Sequence, residues 1–427
     1  MKTAYKFRMY PNKQQGAMLD VTLETCRHLY NTALADRKNC YELEGIGRSY
    51  EDQAATLTLE KKEGKWQGVF SQVSQDVLKR VDKAFKAFFR RVKSGEKPSY
   101  PRFKGKGWYK SFTYPQSGFK IEGSKLTLSK IGSIRIFKHR KIEGKIKTCT
   151  IKKDTLGHWY ATLVSEIPDP ISIEPQTAIG VDVGLKQLIT LSNGAGVKYP
   201  RHYIHAEKKL AAAQRDLSRK KKGSANRRKA RAKVAKIHQR IKNLRNEFLH
   251  IVSHELVNTS DLIIFENINI NGMLKNYSLA KHIQDHAWGK LIQFTQSKAA
   301  KAGKVVELVD ARYTSQKCSQ CGILVPKTLA DRVHHCPKCG LEIDRDLNAS
   351  INILTLGLRE EPPETLQSRS VKEEALVFRP GRKSPPVMFY HEYYHPVDYP
   401  YDLIMIAFDM FISFQSRLYV YSFEYRG

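Results

Sequence analysis

The chain has 427 residues, enough for two or three domains with their own cores, and its 41% hydrophobic content excludes a disordered polymer. Seventy-three Lys and Arg against 42 Asp and Glu leave a formal charge of +31, which calls for a polyanionic partner, with nucleic acid ahead of an anionic membrane surface. A membrane span is not expected, because the longest late apolar run, residues 403–414, is interrupted by Asp409 and falls short of the ~20 residues a span needs.

In chain order, residues 1–10 (MKTAYKFRMY) alternate like a strand that Pro11 ends. This segment has no apolar stretch of the kind a signal peptide carries, so a cytoplasmic protein is expected, or a nuclear one if its host has a nucleus; the nucleic-acid partner makes it nucleoid-associated in the first case. Residues 13–39 place Met18, Leu19, Leu23, Leu29 and Leu34 at helical spacing, and residues 71–92 do the same with Val77, Val81, Phe85, Phe88 and Phe89. A turn-rich basic stretch at 94–107 leads into short alternating segments up to about 166, which predict a small antiparallel barrel or sheet. Its first strand is expected to be the N-terminal one, with the helices as an excursion. A proline-containing linker (167–175) precedes two apolar strands in TAIGVDVGLKQLITLSNG. A basic helical region at 206–250 breaks near Gly223; a strand follows in DLIIFENINI, then a helix at 282–302, a strand at 304–311, a cysteine module and a last helix at 344–358. On that last helix Leu347, Ile351, Leu354 and Leu358 share one side. The order predicts an α/β fold behind a smaller β and helical domain.

Three carboxylates stand where apolar elements end: Asp182 in IGVDVG, Glu266 in IIFENI and Asp346 in DRDLN. Burying such a group is costly without a partner, and a bound cation is one partner. Phosphodiester hydrolysis by two Mg²⁺ ions ~4 Å apart needs hard oxygen ligands on rigid elements, and the RNase H fold supplies acids from its first strand, its fourth strand and a later helix. Singly, each acid reads as well as a surface or capping group, with Asp344 or Asp346 as a cap of the last helix.

Cys318 and Cys321 with Gly322, and Cys336 and Cys339 with Gly340, form two CxxCG knuckles fourteen residues apart. Four thiolates match a closed structural Zn²⁺ site, against a redox pair as the rival. His334 and His335 are not needed as ligands. Cys26, Cys40 and Cys149 stand alone as bland thiols. Between Lys208 and Arg245, sixteen Lys or Arg face one acid, Asp216. Arg219, Lys220, Lys221, Lys222, Arg227, Arg228, Lys229, Arg231 and Lys233 are therefore candidates for phosphate contacts, with Arg102 and Lys104 in the earlier basic loop. Near that loop Tyr100, Phe103, Trp108, Tyr109 and Phe112 are either base-stacking or core residues.

YKFRMYPNKQQ, HLYNTAL, PRFKGKG, IGVDVGLKQLITLSNG, IIFENINI, the paired knuckles and DRDLNASINIL resemble, in order, the landmarks of the TnpB (OrfB) family, transposon-encoded relatives of type V CRISPR effectors. The resemblance runs from residue 1 to about 358. It implies a β-barrel wedge domain (1–10 and 94–170) with a helical recognition insertion (11–93). A RuvC (RNase H-like) nuclease domain (176–310 and 344–358) follows, holding the basic region 206–250 and a zinc-ribbon target-nucleic-acid module (311–343). It further implies a guide RNA, target DNA cut beside a short target-adjacent motif, Mg²⁺ at Asp182, Glu266 and Asp346, and a companion transposase as a functional partner. Asn267 replaces an Asp that many relatives carry, with Glu266 intact. The segment 359–427 departs from the family: beyond VKEEA (371–375) some fifty residues follow, and the last 41 residues of the chain hold 13 Phe or Tyr. It reads as an accessory segment or as translation beyond an ancestral stop; the second is taken here, with poor packing expected. Rival functions are an accessory transposase, for which no separate recombination motif is seen, and a non-cleaving RNA-guided repressor, which would be expected to lack one of the acids.

Overall fold

The computed structural model describes residues 1–359 apart from 311, 329 and 330; the aromatic tail from 360 on lies outside the described residues. Met1–Pro168 belongs to one compact unit, and the described residues from Asp169 onward belong to another.

The first unit begins with β1 (Lys2–Tyr10), whose alternation buries Thr3, Tyr5, Phe7 and Met9. Helix α1 (Lys13–Glu44) starts at a capping box in which Asn12 and Gln15 exchange side-chain and backbone bonds, and ends at Gly45 in the left-handed region. It runs five residues beyond its periodic signal. Helix α2 (Tyr50–Lys62) has no apolar face to announce it. Its start is a second capping box, Ser49 with Asp52, and its buried Gln53 accepts from Arg37 Nε (2.9 Å) and donates to Ala33 O (2.7 Å). Helix α3 (Ser71–Lys93) buries Val73, Val77, Leu78, Val81 and Phe85 on one face.

Strands β2 (Ser111–Tyr114), β3 (Phe119–Glu122), β4 (Lys125–Leu128), β5 (Gly132–Phe137), β6 (Lys145–Lys153) and β7 (Trp159–Glu166) join β1 in one antiparallel sheet, ordered β2-β6-β7-β1-β5-β4-β3. The N-terminal strand is thus its centre, with three helices inserted before β2. The expected barrel takes the form of a curled sheet. No ladder joins β2 to β3 among the described residues, but Tyr114 on β2 donates to Ser129 O after β4 (3.0 Å), and its ring lies 6.4 Å from that of Phe119 on β3.

The second unit is mixed α/β. Strands β8 (Ala178–Val183), β9 (Ile189–Leu191) and β10 (Gly196–Val197) form an antiparallel meander. Helices α4 (His202–Arg219) and α5 (Ala225–Thr259) follow as a hairpin closed by Leu210, Ala213, Ile237 and Ile241. Then come β11 (Leu262–Glu266), the short α6 (Ile270–Met273), α7 (Tyr277–His286), α8 (Trp288–Ala302) and β12 (Val305–Val309). Where one helix over 282–302 was expected, Ala287 adopts a left-handed φ of 53° and separates α7 from α8. The sheet order is β10-β9-β8-β11-β12, with β8, β11 and β12 parallel.

Both faces of this sheet are covered, as parallel strands require. Ile179, Val181, Val183, Ile263 and Phe265 pack with Leu249, Val252, Leu256 and Leu291 of α5 and α8. Leu262 and Ile264 pack with Ile353 of α9 (Arg345–Arg359). Strands β13 (Val333–His335) and β14 (Glu342–Asp344) precede α9 in the cysteine module. The apolar side expected of α9 is only half-buried. Its buried face carries Asn348, Ala349, Ser350, Asn352 and Ile353 instead, because polar residues there are hydrogen-bonded within the fold.

Candidate functional site

Register places two of the acids side by side. On the parallel strands β8 and β11, Phe265 pairs with Val181, so Glu266 and Asp182 stand one step further along neighbouring strands. Period two puts both on the face that α9 covers. Gly180, two residues before Asp182, makes that cover close: a Cβ there would lie 2.1 Å from Ser350 O and 2.6 Å from Leu354 N. Gly357 is equally tight, with 2.5 Å to Ile264 Cδ1. Helix α9 therefore lies flat along β8 and β11, and Asp346 occupies its first turn, one turn before Ser350.

The capping alternative resolves by geometry. Asp344 Oδ1 accepts from the backbone N–H groups of Asp346 (2.9 Å) and Leu347 (3.2 Å), so Asp344 caps the helix. Asp346 instead accepts from Arg345 Nε and Nη2 at Oδ1 (3.2 and 3.0 Å). The three acids act on one another electrostatically. Burial, then the charges of Glu266 and Asp346, raise the Asp182 carboxyl well above the usual aspartate range, while Arg345 opposes the rise. Burial also raises Glu266, opposed by a hydrogen bond from Thr314 Oγ1 to its Oε1. Mutually repelling, half-desolvated carboxylates on rigid elements are a donor set that suits hard divalent cations.

The four cysteines converge more tightly. Their Sγ atoms all lie within 4.8 Å of one another, and among the described residues this is the one set of three or more His, Cys, Asp or Glu ligands so close together. The carboxylates stand further apart. Each knuckle turns on a left-handed glycine: Gly322 N donates to Cys318 O (2.9 Å) and Gly340 N to Cys336 O (3.0 Å). Two of the thiols are shifted in opposite directions. Burial opposes ionisation of Cys336, but backbone N–H groups of Cys339 and Lys338 and the neighbouring thiols outweigh it and lower Cys336 to about 6. For Cys339 the Leu341 backbone favours the thiolate, yet burial and the three other sulfurs push it up to about 12. The set fits a closed tetrahedral metal site, and neither His334 nor His335 belongs to it.

The basic candidates divide. Arg219, Lys221, Lys222, Arg228, Lys229, Arg231 and Lys233 are exposed at or near the tip of the α4–α5 hairpin. Lys220 pairs with Asp216 (3.1 Å), and Arg227 Nη1 donates to Leu217 O and Lys220 O, both at 2.8 Å, bracing the turn. In the other unit Arg102 is exposed, while Lys104 is half-buried with its Nζ 5.4 Å from the Tyr30 ring centroid. The loop is docked on α1 by Arg27 and Asn31, which donate to Lys104 O at 3.0 Å each. The aromatic alternatives separate in the same way: Tyr109 and Phe112 are buried, whereas Tyr100, Phe103 and Trp108 are exposed.

Sequence reasoning passed over Thr314, Asn348 and Asn352. The signal available was an unusual density of small polar residues at helical spacing in LNASIN, on what had to be a packed helix. No helix among the described residues is long and apolar enough to cross a membrane.

A carboxylate set on a mixed sheet, a four-thiol cluster and a basic hairpin thus stand in one unit of the chain, and comparison with known proteins places that chain in a family. A family model described as "Probable transposase" (OrfB_IS605) matches residues 162–277, and one described as "Cas12f1-like, TNB domain" matches 288–353. A model described as "Helix-turn-helix domain" matches 1–45, a segment that here is a strand followed by one 32-residue helix. A Streptomyces pristinaespiralis protein named "Putative RNA-guided DNA endonuclease" is 36% identical over 369 residues, covering 84% of this chain and 90% of that one. The Escherichia coli K12 protein "Putative RNA-guided DNA endonuclease InsQ" is 30% identical over 402 residues, covering 86% and 98%. Among solved structures, CasPhi-2 (Cas12j) bound to crRNA has a TM-score of 0.47 at 9% identity, covering 84% of this chain and 98% of that one. The chain belongs to the TnpB (OrfB) family.

Proposed function

We propose that this chain is an RNA-guided, Mg²⁺-dependent DNA endonuclease of a transposon, cutting beside a short target-adjacent motif by two-metal RuvC chemistry. The observation that carries it is the register of Asp182 beside Glu266 under the first turn of α9, where Asp346 stands. The strand order, an antiparallel meander followed by two parallel strands, supports an RNase H-like reading of this sheet. The names of the relatives support guided DNA cleavage.

In this reading Asp182, Glu266 and Asp346 hold two Mg²⁺ ions, which would supply an activated water and a counter-charge for the leaving oxygen. Burial and the two neighbouring acids favour the protonated form of Asp182, and a cation held there would favour its carboxylate. Arg345 pairs with Asp346 at 3.0 Å and so offsets its charge within the carboxylate set. Cys318, Cys321, Cys336 and Cys339 hold Zn²⁺ as a folding element. The exposed cations of the α4–α5 hairpin, Arg219, Lys221, Lys222, Arg228, Lys229, Arg231 and Lys233, bind guide or target phosphates, and base pairing reads the sequence. Arg102 is assigned the same role in the first unit; Lys104, Lys220 and Arg227 contribute by bracing their loops.

The test is plasmid cleavage in Mg²⁺ by protein co-expressed with RNA from its own locus, reprogrammed to a target preceded by randomised sequence. Guide-dependent cutting is expected, lost on the order of a thousandfold in Asp182→Ala, the equivalent of several kcal/mol of transition-state charge stabilisation. Cutting that persists in that variant would overturn the carboxylate assignment. Target binding without cutting by the parent chain would favour the repressor reading.

A further inference from the structure

We infer that Thr314 is the positioning residue for Glu266, and that Asn348 and Asn352 fasten the segment bearing it to α9, so that the cysteine module sets the geometry of the carboxylate site. The inference rests on the carboxylate-site reading above and adds a residue and a coupling to it.

Thr314 lies in the stretch that leads into the first knuckle, four residues before Cys318, and is only 4% exposed. Its Oγ1 donates to Glu266 Oε1. A hydroxyl at that oxygen restrains the side-chain rotamer of Glu266, and with it the position of the whole carboxylate. The backbone of the same segment is tied to α9. Asn352 Nδ2 donates to Thr314 O (2.8 Å) and to Lys317 O (2.7 Å). Asn348 Nδ2 donates to Lys317 O (2.7 Å), and Asn348 Oδ1 accepts from Ser319 N (3.0 Å). Lys317 and Ser319 flank Cys318, so these amides grip both sides of a cysteine of the thiol cluster.

Two amides on successive turns of one helix, 0% and 7% exposed, would be costly to bury without such partners. Their placement closes a circuit. Glu266 on β11 is held by Thr314, Thr314 is held by α9, and α9 carries Asp346. Glu266 and Asp346 are thereby referenced to each other through the cysteine module as well as through the sheet, while Asp182 is placed by strand register. Groups that orient a metal ligand in this way typically change metal affinity by about 10–100-fold when removed.

The experiment is titration of the full-length, zinc-loaded protein with Mn²⁺ alone, read by electron paramagnetic resonance and calorimetry, with zinc content and melting temperature measured alongside. Thr314→Val, which keeps the shape and removes the donor, is expected to weaken Mn²⁺ binding about 10–100-fold with zinc content and melting temperature kept, and Thr314→Ser to restore it. Should the valine variant fail to fold, the Thr314→Ser and Thr314→Ala pair reads the hydroxyl in its place. Asn352→Ala is expected to move Mn²⁺ affinity in the same direction at unchanged zinc content. Parent-like Mn²⁺ binding by Thr314→Val overturns the positioning role, and parent-like binding by Asn352→Ala overturns the coupling. If Asp182→Ala binds Mn²⁺ as the parent does, the carboxylate-site reading itself has failed, a result distinct from either.

Discussion

The cysteine cluster and the carboxylate set are both metal-ready, yet they are built in opposite ways. The four sulfurs meet within 4.8 Å of one another, and the knuckles close on local backbone bonds. Three carboxylates cannot crowd without a cation. Asp182 resists ionisation, Asp346 leans on Arg345, and Glu266 is held by Thr314. One site is complete in its own thirty residues; the other exists only because two strands, a helix and a module are packed in one way.

Stripping zinc should separate them most sharply. A structural Zn²⁺ contributes about 10–16 kcal/mol of local folding energy in zinc-finger peptides, so Cys336→Ser should abolish zinc binding and unfold the knuckles. Hydrogen exchange should show residues 318–344 exposed while β8 and β11 stay protected. Loss of protection throughout the sheet would show that the module is not a separable folding element.

Gly180→Ala should do the reverse. Its Cβ would meet α9 backbone at 2.1 Å, and overpacking of this kind costs about 1–3 kcal/mol. Cleavage and Mn²⁺ affinity should fall with zinc content intact. A variant with normal Mn²⁺ affinity would mean that α9 does not fix the acid geometry.

The smallest effect is electrostatic, and its sign is definite. Because the folded Asp182 carboxyl lies above its unfolded value, the folded state keeps a proton that the unfolded chain has lost. Its contribution to stability is full below the ordinary aspartate pKa of about 4 and is lost as pH rises through the raised value. The metal-free protein should therefore lose stability with rising pH on this account, and Mg²⁺ should flatten the slope. Asp182→Asn should remove this component and stabilise the metal-free protein by about 0.5–2 kcal/mol while eliminating cleavage. Melting temperatures against pH, with and without Mg²⁺, decide it; an identical slope in both proteins would detach Asp182 from the effect.

Local chemistry was legible in the sequence. Two CxxCG knuckles state their own geometry, because four cysteines and two left-handed glycines fix the turns locally. The strands of the first unit, α1, α3 and the basic hairpin follow from period two, period 3.6 and charge. Each of the three acids could be picked out as a carboxylate at the end of an apolar element.

Tertiary structure decided what depends on partners far along the chain. Helix α2 has no apolar stripe and is held by Gln53 and Arg37, so periodicity could not find it. The break at Ala287 is a single left-handed residue that no glycine or proline announced. The face of α9 defied its leucines because Asn348 and Asn352 found backbone partners in the cysteine module, and hydrogen bonding inside the fold reversed what hydropathy alone implied. Which aspartate caps the helix and which pairs with Arg345, Asp344 or Asp346, turned on two residues of local geometry. Spacing along the chain carries covalent and short-range information only; the meeting of Asp182, Glu266 and Asp346 is set by strand register and close packing, which the whole unit must fold to establish.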